Sequence, residues 1–286
     1  MSGPLKEQVL ADLAAAGCSP LHRFGQNFMV EPQVVEDLIA AAGITAGARV
    51  LEVGPGTGVV TTRLLDAGAE VLAVEIDRGL AARLVERYAD RPHVRVVTGD
   101  VLELPIDAML EEPHATVVAN LPYNVTTPIL FRLLDLRARF PRAVVMVQRE
   151  VATRLAARPG GKEWGVLPAL IQTFAEVRVA FGVSRRAFHP PPRVESAVLD
   201  VRWSAAPRVA LGDVETYRTL VRAAFGQRRK TLRNALAGWT GSRGLAAGAV
   251  AAAFAVAAID PGTRAERLST ADFARLARAF EDAAAA

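Results

Sequence analysis

This chain has one cysteine, Cys18, among its 286 residues. An internal disulfide is therefore excluded, and a reducing, cytoplasmic compartment is expected. Histidine is scarce too. His22, His93, His114 and His189 lie far apart and lack the spacing of a zinc site, so no catalytic metal is expected. Long apolar runs are missing. The longest, Leu245 to Ile259, falls short of the roughly 20 residues a membrane span needs and is expected to form a buried helix. Near the start, Lys6, Glu7 and Asp12 interrupt any apolar stretch, so no secretory leader is expected. Nor does one charge dominate, since the formal net charge is +4.

What is present is an ordinary globular composition, 51% hydrophobic and 22% charged. It suits one large domain plus a small one, with a core that needs no staple. The modest charge is unevenly spread. From Ala205 onward there are twelve Arg and Lys against seven Asp and Glu. That local excess points to a polyanionic partner or to a merely solvated surface.

From Ala48 short apolar runs alternate with helical patterns. Arg49–Val53, Glu70–Ile76, Val94–Thr98, Thr116–Ala119 and Ala143–Gln148 read as strands, with helices over Val59–Ala67 and Gly79–Tyr88. This alternation predicts an α/β fold with a parallel sheet whose ligands sit at the carboxyl ends of the strands. Thr127 before Pro128 predicts an N-cap and first turn for a helix through Leu134. Val177–Val183 and Val194–Trp203 read as two more strands, joined by an Arg- and Pro-rich connection. Ala205–Pro207 reads as a linker, and the remainder as alanine-rich helix. The expected domains are residues 1–205 and a small helical domain of residues 206–286.

The first strand runs into Glu52-Val53-Gly54-Pro55-Gly56-Thr57-Gly58. Glycines permit a tight turn and close approach to a ligand, and the next helix offers free amides. A phosphate-cradling loop would end in Gly-Lys-Ser/Thr, but Val59 and Val60 follow here. The dinucleotide fingerprint needs a third glycine, at Val59 or Thr61 by the two possible counts, and fails in both. Glu75 ends the next strand, where a carboxylate can accept bonds from ribose hydroxyls. Gly99-Asp100 ends the third, where a carboxylate can accept from an adenine amine. These features suit a nucleoside cofactor without pyrophosphate and resemble the S-adenosylmethionine pocket of Rossmann-like methyltransferases.

The fourth strand ends in Asn120-Leu121-Pro122-Tyr123-Asn124. It resembles the Asn/Asp-x-Pro-Tyr/Phe loop of methyltransferases that modify amino groups. An adenine amine is a poor nucleophile because its lone pair is delocalised into the ring. Acceptors at its two hydrogens, the Asn120 side-chain oxygen and the Leu121 carbonyl, would favour a pyramidal nitrogen. Pro122 would stiffen the loop and Tyr123 would stack on the base. Rate would come from proximity and alignment rather than from a strong base.

A base inside a helix is inaccessible, so it must be unpaired or extruded and then held by aromatic side chains. Phe188 is either a second wall opposite Tyr123 or a core residue beside a proline-rich turn. Arg185, Arg186 and Arg193 flank it as candidate phosphate contacts. Further on, Arg228, Arg229, Lys230 and Arg233 place four cations on what reads as one helical segment, either a phosphate-binding face or a solvated one.

Taken together the ordered blocks resemble the ribosomal RNA adenine N6,N6-dimethyltransferases, in particular the branch that modifies two adjacent adenines near the 3′ end of small-subunit RNA. The blocks are Arg23-Phe24-Gly25-Gln26-Asn27-Phe28, Glu52 to Gly58, Glu75-Ile76-Asp77, Gly99-Asp100-Val101, Asn120 to Asn124, Phe188 to Ala197 and Arg228 to Asn234. The resemblance implies a class I methyltransferase fold, with a seven-stranded, mostly parallel sheet and a small helical C-terminal domain. It implies S-adenosyl-L-methionine as cofactor, held by Asn27, Met29, Gly54, Gly56, Glu75, Asp100, Val101 and Asn120. The catalytic loop would be Asn120, Leu121, Pro122 and Tyr123. The partner would be small-subunit rRNA in an immature subunit, with no membrane and no metal, and the enzyme a monomer. Met29 stands where leucine is usual, and Val125-Thr126-Thr127 where Ile-Ser-Thr is usual. Two other readings remain: a macrolide-resistance-type methylase of a large-subunit adenine, which typically carries isoleucine where Leu121 stands, and an assembly factor that kept the fold without the catalysis.

Overall fold

Residues 71–74, 117–119 and 143–147 are apolar at consecutive rather than alternate positions, the signature of strands covered on both faces. A computed structural model of the chain describes residues 3–17, 26–110 and 114–285. Its first elements are α1 (Pro4–Ala15), β1 (Phe28–Met29), α2 (Pro32–Ala42), β2 (Arg49–Val53), α3 (Val59–Asp66), β3 (Glu70–Glu75), α4 (Arg78–Arg87) and β4 (Val94–Thr98). Then come β5 (Thr116–Asn120), α5 (Thr126–Asp135), β6 (Arg142–Gln148), α6 (Arg149–Leu155), α7 (Val166–Phe174), β7 (Ala175–Val183), β8 (Phe188–His189) and β9 (Ser196–Trp203). The chain closes with α8 (Val214–Gly226), α9 (Leu232–Gly241), α10 (Ala247–Val256) and α11 (Thr270–Ala285).

Seven strands form one sheet in the order β4-β3-β2-β5-β6-β9-β7. The pairs from β4 through β6 are parallel, while β9 runs antiparallel to β6. Val50, Leu51, Val117, Val118, Val144, Val145 and Leu199 are fully buried, so both faces of the sheet are covered. Arg142 ties β6 to its surroundings. Its guanidinium bonds Asp200 on β9 at 2.9 Å and donates to the Ala41 and Ala42 carbonyls that end α2, each at 2.7 Å. A cation on the orphan carbonyls of a helix end is favourable. After β2 the chain builds outward to β4, and from β5 it builds the other way. The crevice at such a reversal, beyond the carboxyl ends of β2 and β5, is where ligands bind in this architecture.

The chain divides into two compact units, Met1–Ala152 with Glu176–Ala205, and Thr153–Ala175 with Ala206–Ala286. One division falls after Ala205, and residues 153–175 group with the second unit. The reason is the apolar character of α7 on every side. It buries seven of its nine residues. Within this unit Trp164 donates through Nε1 to the Leu268 carbonyl (2.9 Å), and the Thr173 and Tyr217 hydroxyls bond at 2.6 Å. Phe280 packs edge-on against both Trp239 and Phe254.

Several sequence expectations are corrected. The apolar run from Leu245 is not a buried helix. Only Ala253 and Phe254 of α10 are buried, and Val256 is 75% exposed. Alanine presents little apolar surface and has the highest helix propensity, so this run sustains an exposed helix. Helix α5 starts two residues early, with Val125 rather than Thr127 at the N-cap and no side-chain cap, and the Thr126 hydroxyl donates back to the Pro122 carbonyl at 3.0 Å. The four cations of residues 228–233 do not share a helix. Helix α8 stops at Gly226, Arg228, Arg229 and Lys230 lie in the turn that follows, and only Arg233 sits on α9.

Candidate functional site

The glycine turn leaves β2 directly. Gly54, Gly56 and Gly58 have φ of +68°, +60° and +81°, conformations that side chains with a Cβ adopt only with strain. At Gly56 an added Cβ would also lie 3.1 Å from the Phe28 ring, and at Gly58 it would lie 2.6 Å from the Tyr88 hydroxyl. The turn is thus folded so that backbone, not side chain, faces the space above it. Because β2 and β5 pair in parallel, with Glu52 opposite Val118, the turn and the loop after β5 emerge side by side. A Cβ at Gly54 would sit 3.9 Å from Pro122 Cδ.

Between them lies a cleft of about 140 Å³, on the order of ten times the space one water needs. All eight residues expected to hold the cofactor line it: Asn27, Met29, Gly54, Gly56, Glu75, Asp100, Val101 and Asn120. The loop residues Leu121, Pro122 and Tyr123 line it as well. Val59 and Val60, the first residues of α3, form part of its wall.

Two buried acids define the electrostatics. Glu75 is 4% exposed; its Oε2 accepts from Gly56 N (2.9 Å) and its Oε1 from Asp77 N (3.0 Å). Burial raises its pKa against the pull of those amides. Glu52 is 2% exposed, and Thr61 donates to it at 2.7 Å. Burial pushes its carboxyl up to about 8, opposed by the Thr61 bond and reinforced by the charge of Glu75. The third acid, Asp100, accepts from Leu102 N at 2.8 Å through Oδ1 alone.

On the opposite rim Asn120 donates through Nδ2 to the Asn27 carbonyl at 2.9 Å. Its nitrogen is committed, so the oxygen is the end offered to a ligand. The Tyr123 hydroxyl bonds the buried Ser196 hydroxyl on β9 at 2.6 Å, and burial raises the phenol pKa further above its ordinary range, offset in part by that bond. No cysteine, lysine or histidine lines the cleft among the described residues. The site therefore offers acceptors, a fixed ring and acids, but no activated nucleophile.

Other expected residues are not brought together here. Phe188 is 3% exposed and packs in the hydrophobic core with Met29, Val183 and Val198. Its strand β8 pairs with β1, Phe188 opposite Met29, which turns the ring inward and corrects its reading as a second wall opposite Tyr123. Arg185, Arg186 and Arg193 are exposed, the first two in a short 3-10 turn, and none lines the cleft. Of the first sequence block, Arg23, Phe24 and Gly25 lie outside the described residues.

Sequence reasoning gave no role to Ser196 or to the buried carboxyl of Glu52. Glu52 had a signal, an acid with Val50, Leu51 and Val53 around it in a strand. Ser196 had none, because its partner is 73 residues away.

The family model described as "Ribosomal RNA adenine dimethylase" matches residues 21–282. The chain is 45% identical, over 92% of its own length and 97% of the relative's, to a protein of Syntrophotalea carbinolica named "Ribosomal RNA small subunit methyltransferase A". It is 46% identical, over 90% and 92%, to a protein of the same name from Anaeromyxobacter dehalogenans. Among solved structures it is similar to a dimethyladenosine transferase from Plasmodium falciparum, with TM-score 0.76, 24% identity and 90% and 98% of the two chains covered. It is also similar to the 23S rRNA methyltransferase ErmE, with TM-score 0.67, 26% identity and 89% and 100% covered.

Proposed function

The chain belongs to the ribosomal RNA adenine dimethylase family, and from that premise we propose that it methylates the N6 amines of two adjacent adenines near the 3′ end of small-subunit rRNA, giving N6,N6-dimethyladenosine, with S-adenosylmethionine as donor. The observation that carries the reading is the Asn120 amide. Its nitrogen is bound to Asn27, its oxygen is free to accept, and the loop that bears it abuts the glycine turn.

The residues present fit that cofactor. The left-handed glycines leave the floor free of Cβ atoms, and the buried Glu75 places acceptor oxygens beside the turn. Glu75 would hold the ribose, Asp100 and Val101 the adenine, and Asn27 and Met29 the near side. When bound, this cofactor supplies an electrophilic methyl on a sulfonium, a leaving group that needs no protonation. The Asn120 oxygen and the Leu121 carbonyl accept the two amine hydrogens of the base and turn its lone pair outward. Pro122 fixes the loop, and the Tyr123 ring, anchored through Ser196, stacks on the base. The methylated nitrogen loses its proton to water, which is consistent with a cleft lacking a strong base. The main contribution to rate is alignment.

Names shared by the relatives at 41–46% identity support the small-subunit substrate. In the second unit, Arg228, Arg229, Lys230 and Arg233 would contact phosphate, which fixes position but carries no sequence information. Arg185, Arg186 and Arg193 would do so in the first. Among the described residues no helix is long and apolar enough to cross a membrane and no acidic or histidine cluster fits a metal ion. Work on immature small subunits in the cytoplasm requires neither.

The test is transfer of a radiolabelled methyl group to unmodified small subunits, to large-subunit RNA and without RNA, with mass analysis of the adenines. Dimethyladenosine in small-subunit RNA is the expected result. Label confined to large-subunit RNA would favour the resistance-type methylase. Cofactor binding without transfer to either RNA would favour an assembly factor.

A further inference from the structure

Helix α1 lies before residue 21, where the family match begins, yet two chains of contact run from it to the glycine turn. The first is polar. Asp12, 5% exposed on α1, forms an ion pair with Arg87 at the end of α4. Arg87 also donates through Nη1 to the Thr57 carbonyl, in the turn itself, at 2.6 Å. Arg83 lies 3.8 Å from the same Asp12 oxygen, and the other, Oδ2, is buried with no partner among the described residues. The second is apolar. Val9 and Leu13 of α1 pack with Phe28 and Leu80 in one cluster, and the Phe28 ring rests against Gly56.

We propose that α1 is a working part of the cofactor site, with Asp12 and Arg87 as positioning residues that hold the Thr57 carbonyl and so the geometry of the glycine turn. The proposal rests on the cofactor reading above but adds a segment the family match does not cover.

A guanidinium at a helix end can reach many acceptors. What sets its direction is the buried carboxylate on its far side. Removing Asp12 leaves Arg87, whose side chain is now only 19% exposed, free to turn toward solvent. The Thr57 carbonyl then loses a charge-assisted donor. The turn is held by fewer bonds at the point where it must keep three left-handed residues in register. The effect should be on cofactor affinity rather than on the chemical step, because neither residue lines the cleft.

The experiment compares the full chain with Asp12→Ala, Asp12→Glu, Arg87→Ala and the double Ala variant. S-adenosylmethionine binding is measured by calorimetry, and hydrogen exchange at the amides of residues 56–58 is measured without ligand. Asp12→Ala should weaken binding about fivefold or more and speed exchange in the turn. Asp12→Glu should recover much of both, and Arg87→Ala should add little on top of Asp12→Ala, as coupled neighbours do. Turnover at saturating cofactor should be unchanged. Binding within about twofold of the parent in both single Ala variants, with unchanged exchange, overturns the proposal. If the parent itself does not bind the cofactor, the cofactor reading fails, while faster exchange in Asp12→Ala would still uphold the clamp on the turn.

Discussion

The side-chain nitrogen of Asn120 is bonded to the backbone carbonyl of Asn27, 93 residues earlier in the chain, at 2.9 Å. This one bond joins the N-terminal segment to the loop after β5 and decides which end of the amide meets a ligand. An asparagine on an open loop could present either end. Here a carbonyl, which can only accept, has fixed the choice.

Asn120→Ala removes that acceptor without filling the cleft. Turnover should fall by about two to three orders of magnitude, as when an aligned polar group is deleted from a reacting centre. S-adenosylmethionine affinity should change much less. Single-turnover methyl transfer beside calorimetric binding separates the two, and turnover near the parent value would remove Asn120 from its assigned role.

Glu52 makes stability depend on pH. Its folded pKa, about 8, lies above the ordinary value of 4.5, so the folded state holds a proton that the unfolded chain releases. Stability from this group is complete below about pH 4.5 and is lost as pH rises through 8. The slope approaches about 1.4 kcal/mol per pH unit between them. Urea melts of the ligand-free protein across that window should show the decline, and Glu52→Gln should flatten it. An equal slope in both proteins would mean that Glu52 is ionised when folded.

Gly58→Ala meets two obstacles, a φ of +81° and a Cβ placed 2.6 Å from the Tyr88 hydroxyl and 2.7 Å from Leu84 Cδ2. Left-handed strain and overpacking together predict a loss of about 2–4 kcal/mol, read from the shift of a denaturation midpoint. A loss under about 0.5 kcal/mol would show that Tyr88 moves aside without penalty.

Tyr123→Phe leaves the buried Ser196 hydroxyl without its 2.6 Å partner. Stranding such a group costs about 1–2 kcal/mol. Adding Ser196→Ala should restore most of the lost stability. If the two losses simply add, the hydroxyl pair is not coupled.

In the second unit the cations differ in availability. All three are exposed, but Arg228 already donates to the Lys162 carbonyl and lies 3.7 Å from Glu266, whereas Arg229 and Lys230 have no ion-pair partner among the described residues. Neutralising Arg229 and Lys230 should reduce the salt slope of RNA binding by about 0.7–0.9 for each phosphate left without its cation. Neutralising Arg228 should reduce it less. Three equal reductions would mean that Arg228 leaves Glu266 when RNA binds.

That Glu75, Asp100 and Asn120 would face one cleft was legible because each ends or closely follows a strand, and strand ends can be read from apolar runs. Glu75, Asp100 and Asn120 each needed only that register. Phe188 was not legible in the same way. A phenylalanine beside prolines reads alike whether it faces solvent or core, and its burial is decided by pairing with Met29, far earlier in the chain. The Arg228 segment misled because cations at helical spacing suggest a helix, while Gly226 ends one and Thr231 precedes the next. Residues 153–175 group with residues 206–286 through partners, Tyr217 and Leu268 among them, that come later in the chain and that no local pattern reveals.

Glu75 commits part of each carboxylate oxygen to a backbone amide, one in the glycine turn and one at Asp77. The group expected to grasp a ribose is also the keystone of the loop that receives it. Substituting Glu75 therefore disturbs the receptacle along with the grip. The cleaner probe changes the guest: a 2′- or 3′-deoxy cofactor analogue meets an undeformed turn, and its weaker affinity measures the hydroxyl bond alone.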